Sequence, residues 1–384
     1  MLEYKLFACC ARAECDPTHA ERVAHRAAEL TAWADVPVRA EAHGIAPLLH
    51  AHLRAAGVQI PPTVERQLRG LCLRHRWANR VRASVLRKIL AAYDAAGIEL
   101  LILKGAALAH LLYPQPGWRP MRDVDILVRT PDAVRAQRLL ATELGFHAPP
   151  PDNADLRSGH HLDTASLHIE DLCVSVEVHY RFFDKDCAGP NGMGDLTSTP
   201  LPFLLGEDGP TAYTLGYEDM LWHLCQHMIQ DASVFTATRF IWIADIVSFA
   251  ERFVNEIDWD GIRRRYPLIL NILSLLQFVT PLSGKLRRRA RIPGGDAPRG
   301  IGKDFRGWPR SSLSSQRDKG YWRILRDTFL PPEWWLRLHY GLSSAQRILW
   351  YRWGQHPLEI LGWITQLVRE QAQGSENQAL HQGV

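Results

Sequence analysis

Two aspartates alternate at the start of an apolar run, Asp123-Val124-Asp125-Ile126-Leu127-Val128. Side chains on a β-strand alternate between its faces, so Asp123 and Asp125 point one way and Val124 the other. Two carboxylates on one face can grip a hard divalent cation, which prefers oxygen ligands. A second alternating run, Leu172-Cys173-Val174-Ser175-Val176-Glu177-Val178-His179-Tyr180, sets Glu177 and His179 on one face with apolar neighbours on the other. Laid beside the first strand, Glu177 would supply a third carboxylate. Three acids suit two divalent ions that clamp the attacking and leaving oxygens of a phosphoryl transfer. Glu170 and Asp171 are nearby acids that compete with Glu177 for this role. An Asp-x-Asp pair alone also fits a solvated strand edge, so its surroundings have to decide.

Those surroundings begin with the apolar run 98–103, which ends at Lys104-Gly105-Ala106 and reads as a buried strand entering a tight turn. Gly97 ends the helix before it, and a short helix is expected over 106–113, closed by the turn-rich stretch 114–120. A helix over 131–144, begun by Pro131 and ended by Gly145, separates the two acid-bearing strands. Helix and strand alternate only between about residues 97 and 182. Apolar residues at helical spacing mark the flanks, with helices expected over 217–230, 238–253 and 268–278. The expected architecture is α+β: a helical region over 1–96, a small mixed sheet over 97–210, and a helical region over 211–384. Residues 285–319, rich in Arg, Gly, Pro and Ser, read as a loop within the last region.

Composition sets the outer limits. The 384 residues suit one core with helical additions, or two domains, and 46% hydrophobic with 22% charged residues is the make-up of a folded body. A net charge of +4, from 45 basic and 41 acidic residues, is too mild to name a nucleic-acid partner. The seven cysteines, Cys9, Cys10, Cys15, Cys72, Cys173, Cys187 and Cys225, are odd in number and contain no CxxC pair. They suggest neither a disulfide framework nor a zinc site, and the simpler expectation is a reducing cytoplasm. No run reaches the roughly 18–20 apolar residues that span a bilayer, and the start of the chain lacks the pattern of an export signal.

Several other groups carry two readings each. His223 and His227 lie one helical turn apart, a spacing able to bind a transition metal, but without a third ligand they read as core or surface histidines. Arg239 and Asp245 either orient a ligand or bridge helices. Trp334, Trp335, Trp350, Trp353 and Trp363, interleaved with Arg337, Arg347 and Arg352, are expected to pack as a core, with an interfacial or base-stacking surface as the alternative. Arg287, Arg288, Arg289 and Arg291 form a basic run that a solvated loop explains.

The Leu-Lys-Gly turn at 103–105, the Arg-Pro-x-x-Asp-x-Asp strand at 119–125 and the Glu-x-His-Tyr strand at 177–180 resemble the uncharacterised bacterial nucleotidyltransferases of the polymerase-beta-like superfamily. Looser similarity runs through 221–245 and 331–351. The resemblance implies magnesium, two ions, with manganese as a substitute, held by Asp123, Asp125 and Glu177, and a nucleoside triphosphate as donor. It implies a hydroxyl acceptor on a small molecule, peptide or protein, with RNA a less favoured partner. Lys104, Gly105 and Ala106 correspond to the phosphate-holding turn, where relatives commonly carry Gly-Ser or Gly-Gly. Here the serine is absent, and Lys104 would contact phosphate or form a salt bridge. Arg119 and Arg122 would clamp anions or pair with an aspartate, and Arg239 is a further candidate for the nucleotide. The gap from Gly105 to Asp123 is longer than the superfamily norm.

Overall fold

A computed structural model describes residues 2–151, 156, 159–183, 189–231, 238–297, 321–331, 333, 336, 340, 345–362 and 364–365. It resolves two compact units: residues 1–228 with 239–295, and residues 229–238 with 296–384.

The first unit opens with a helical layer: α1 (Leu2–Cys10), α2 (Pro17–Ala28), α3 (Val36–Ala42), α4 (Ala46–Ala55) and the long α5 (Pro62–Ala95). The apolar stripe of α5, Leu68, Val85, Leu86, Ile89 and Tyr93, is buried. At its end Gly97 adopts φ +66°, a left-handed conformation that glycine takes at little cost, and turns the chain into β1 (Leu100–Ile102). The order continues α6 (Lys104–Leu111), β2 (Asp123–Val128), α7 (Ala133–Thr142), β3 (Ala165–Ile169) and β4 (Leu172–His179). The helix after β1 therefore starts at Lys104, two residues before the sequence suggests, and the expected helix over 131–144 begins as a 3-10 turn, Thr130–Asp132.

These strands form one mixed sheet in the order β1-β2-β4-β3, with β2 and β4 parallel and both edge strands antiparallel to their neighbours. Its Val124, Ile126, Val174, Val176 and Val178 face is buried, and α7 packs against β3 and β4. The Tyr93 hydroxyl on α5 donates to the Ala136 carbonyl on α7 at 2.9 Å, fixing the long helix over that layer. A hairpin of β5 (Leu201–Leu204) and β6 (Thr211–Thr214) follows, and Thr214 donates its hydroxyl to the Ile102 carbonyl at 2.5 Å. Neither β3 nor this hairpin is evident from the sequence alone.

The unit is completed by α8 (Tyr217–Asp231) as far as residue 228, α9 (Phe240–Arg252), α10 (Trp259–Arg265), α11 (Pro267–Leu276) and α12 (Gly284–Arg289). The basic run Arg287–Arg289 is thus the last turn of a helix rather than the start of a loop. Ser283 caps that helix by accepting from the Leu286 N–H at 3.2 Å, and Leu286 is buried. Residues 290–297 leave that helix as the expected loop, and 298–319 lie outside the described residues.

The second unit contains α13 (Tyr321–Phe329) and a helix over Ala345–Trp350 that runs into a π-helical turn, Tyr351–Gln355. Trp350 and Trp353 are exposed there, so the two described members of the expected tryptophan core are not packed among the described residues. Trp334, Trp335, Arg337 and Trp363 lie outside the described residues, as does Cys187. Among the described residues no helix is long and apolar enough to cross a membrane.

Candidate active site

The parallel pairing of β2 with β4 sets Asp123 opposite Ser175, Asp125 opposite Glu177 and Leu127 opposite His179. One sheet face therefore carries Asp123 and Asp125 on one strand and Glu177 and His179 on the next. Glu170 and Asp171 form the two-residue turn between β3 and β4, where Glu170 takes φ +51°. Asp171 lies six positions before Glu177, about 20 Å along the strand. The β2–β4 register, which periodicity cannot reveal, makes Glu177 the acid beside Asp125.

His179 joins the two strands chemically. Its Nε2 lies 3.0 Å from Asp125 Oδ1 and 3.5 Å from Glu177 Oε2. Lys104 Nζ approaches the same Asp125 oxygen at 3.2 Å. The Leu103 N–H donates to the Asp125 carbonyl at 2.9 Å, which extends the β1–β2 ladder and delivers Lys104 to this position. Lys104 itself has φ +42°. A left-handed conformation costs a residue with a Cβ on the order of 1 kcal/mol, and such strain gathers at functional turns.

The acids sit in unequal fields. Burial alone would raise Asp125, but the Lys104 charge and the His179 hydrogen bond outweigh it and hold the carboxyl well below its usual range. Asp123, two residues away, is pushed up by burial and by the Asp125 carboxylate. The His179 hydrogen bond lowers Glu177 against its burial. Burial opposes charge on His179, yet its contacts with Asp125 and Glu177 leave its affinity for a proton raised.

Asp125, Glu177 and His179 can each place a ligand atom within 4.8 Å of the others. Asp123 is not in that tightest set, but its carboxyl is close enough to feel both other acids. Three carboxylates crowded on one face, with desolvation and mutual repulsion raising one of them, form a donor set that fits hard divalent cations.

The expected anion-binding residues separate into two kinds. Arg119 is buried and turns inward: Nη2 lies 2.7 Å from Asp245 Oδ2, Nε 3.4 Å from Asp245 Oδ1, and Nη1 donates to the Pro120 carbonyl at 2.9 Å. Tyr113 donates its hydroxyl to the same carboxylate at 2.6 Å. Arg119 also explains Gly105, since a Cβ on that residue would lie 2.9 Å from Arg119 Cζ and 3.2 Å from Met121 Cγ. The glycine of the turn thus admits a guanidinium. Ala106 is buried on α6 and leaves its main chain as its polar surface. Arg122 is exposed beside Asp123.

Arg239 immediately precedes α9, and its pKa is brought down to about 10 by burial, with Arg122 and Arg119 adding to the effect and Asp123 and Glu41 opposing it. Its Nε is buried without a hydrogen-bond partner. Arg82 on α5 was not distinguishable in sequence from the other arginines of that helix. It is buried, with Nε and Nη1 unpartnered, and it feels the Asp123 carboxylate. His160 and His161 also escape sequence reasoning. Their rings lie 5.3 and 5.2 Å from that of His179, and an isolated bridge pairs His161 with His179. The adjacent His-His pair was the available sign. His223 stacks on Phe183 at 5.3 Å as a core residue, 6.4 Å from the His227 ring.

Residues 29–276 match the model of a family described as uncharacterised nucleotidyltransferase, a span that includes the whole mixed sheet and α9. The chain belongs to that family. Two solved structures are similar to this nucleotidyltransferase at 16% identity and a TM-score of 0.34. The antibiotic-resistance factor ANT(2'')-Ia covers 49% of this chain and 95% of its own. An antigenic nucleotidyltransferase-like protein from Paracoccidioides brasiliensis covers 54% and 96%. No curated protein matches the sequence. At these values the family match carries the assignment.

Proposed function

We propose that this nucleotidyltransferase moves a nucleoside monophosphate from a nucleoside triphosphate to a hydroxyl on a small molecule, peptide or protein, and that it requires magnesium. The observation that carries the reading is the register of Asp125 against Glu177 on adjacent parallel strands, with Asp123 two residues earlier on the same face. Magnesium held by Asp123, Asp125 and Glu177 would neutralise phosphate charge and acidify the acceptor hydroxyl.

The chain's own groups complete the task. The acceptor oxygen attacks the α-phosphorus in line, the bond from that phosphorus to the bridging oxygen breaks, pyrophosphate leaves, and the hydroxyl proton passes to solvent. His179 fixes the rotamers of Asp125 and Glu177, so the acids are oriented before substrate arrives. Lys104, Arg122 and Arg239 supply positive charge beside Asp123 and Asp125 for the triphosphate, with the main chain of Gly105 and Ala106 at the start of α6. Arg119, committed to Asp245, braces the Gly105 turn.

The test is a thermal-shift screen of the four nucleoside triphosphates with and without magnesium, on wild type and Asp125→Asn. One nucleotide should stabilise the wild type in the presence of magnesium only, and Asp125→Asn should abolish the shift. With an acceptor in hand, pyrophosphate release should fall by at least about two orders of magnitude in that variant. Equal magnesium-dependent shifts in both proteins would sink the assignment of Asp125.

A further inference from the structure

We propose that Cys15, His19 and His52 form a second metal site, separate from the carboxylates, for a borderline transition-metal ion of which zinc(II) is the best fit, tying α2 to α4. The sequence alone gives no hint of it, because the three residues follow no zinc-binding spacing.

The local fold brings them together. Asp16 is the N-cap of α2, and its carboxylate accepts the His19 N–H at 2.8 Å. That cap fixes the turn so that Cys15 sits just outside the helix and His19 in its first turn. His52 comes from the facing side of α4, and the two imidazoles meet edge to face, 5.3 Å apart at 85°. The Cys15 Sγ and one nitrogen from each ring lie within 4.8 Å of one another. Zinc–sulfur and zinc–nitrogen bonds of about 2.3 and 2.0 Å in a tetrahedron place neighbouring ligand atoms roughly 3.3–3.5 Å apart. The three atoms need to draw in by no more than about 1.5 Å, within reach of side-chain rotation.

A second observation points to a ligand. His19 is 2% exposed and His52 1%, and none of their four ring nitrogens has a hydrogen-bond partner. Buried polar atoms are nearly always satisfied, so the unpartnered nitrogen that each ring offers to the site calls for an occupant. The main chains of Cys9 and Arg12 face the two rings, short of hydrogen-bond geometry. Metal-bound imidazoles normally donate their second nitrogen to such carbonyls. Arg12 and Arg22 are the charged groups that His19 feels most. The Arg12 charge is not loose: its guanidinium pairs with Glu251 at 2.5 Å and donates to Thr280 at 3.3 Å. A water molecule would complete four-coordination.

Cobalt(II) tests the proposal directly. The full chain, reduced and stripped with a chelator that is then removed, should bind one equivalent of cobalt at this site, with a thiolate-to-cobalt charge-transfer band and the intense visible bands of a tetrahedral ion. One equivalent of zinc should bleach both. Cys15→Ser, a one-atom change at a half-buried position, should keep the wild-type circular dichroism and the magnesium-dependent nucleotide shift. Its metal affinity should fall by more than the roughly 10–100-fold that loss of an outer-shell partner costs. His52→Ala should lose the spectrum, whereas Asp125→Asn should retain it, which separates this site from the carboxylates. Absence of a cobalt spectrum in the wild type, or a spectrum unchanged in Cys15→Ser, overturns the proposal and leaves the two histidines as a packed pair.

Discussion

Replacing Asp245 by alanine tests whether Arg119 braces the turn at Gly105. In the native protein the Asp245 carboxylate is 1% exposed and holds both the Arg119 guanidinium, at 2.7 Å, and the Tyr113 hydroxyl, at 2.6 Å. Asp245→Ala leaves a buried cation and a buried hydroxyl without their acceptor. Removing one partner of a buried pair costs about 3–5 kcal/mol, because the surviving charge stays desolvated. In a unit of this size that corresponds to a drop of roughly 10 °C in melting temperature. Removing both charges is a different perturbation: the combination Arg119→Met, Asp245→Leu and Tyr113→Phe fills the same space with apolar groups and should recover most of the loss. Thermal and urea melts read the stability, and a nucleotide titration in magnesium reads the site. Because Arg119 packs on Gly105, the single variant should also weaken nucleotide binding. An Asp245→Ala protein within about 1 kcal/mol of wild type, or a triple variant no better than the single one, would refute the reasoning.

Three further outcomes follow from the same geometry. His179→Gln, which disturbs the orientation of Asp125 and Glu177, should raise the magnesium concentration needed for half-maximal activity about 10–100-fold, measured by metal titration at saturating nucleotide. Gly105→Ala drives a methyl group against a guanidinium that Asp245 prevents from yielding, and should cost about 1–3 kcal/mol in a thermal melt together with nucleotide affinity. His223, fully buried with both ring nitrogens unpartnered, has its pKa pushed well below 6.5 by burial and then by Lys104. Between that lowered value and 6.5 the unfolded chain binds a proton that the folded one refuses. Its contribution to stability is therefore complete above about pH 6.5 and declines as pH falls. His223→Leu should flatten this acid-side loss in melts run from pH 7 to 5.

The local chemistry of the acids was legible because a strand obeys a period of two. That rule alone puts Asp123 with Asp125 and Glu177 with His179, and the structure shows both pairs on one face of β2 and β4. Helix boundaries followed from glycine and proline in the same way, as at Gly97. The α+β architecture, the helical flanks and the nucleotidyltransferase family were likewise within reach of the residues and their motifs. The exposed Trp350 and Trp353 show the limit, because helical spacing identifies a face without saying what covers it.

Sequence determined which residues share a strand face, for that depends on neighbours two positions apart. Tertiary structure decided which faces meet. It separated Glu177 from Asp171, turned Arg119 toward Asp245 across 126 residues of chain, and brought Cys15 and His19 to His52. Those choices depend on strand register, buried charge pairing and helix packing, each set by free-energy differences summed over the whole core. Periodicity carries no record of them.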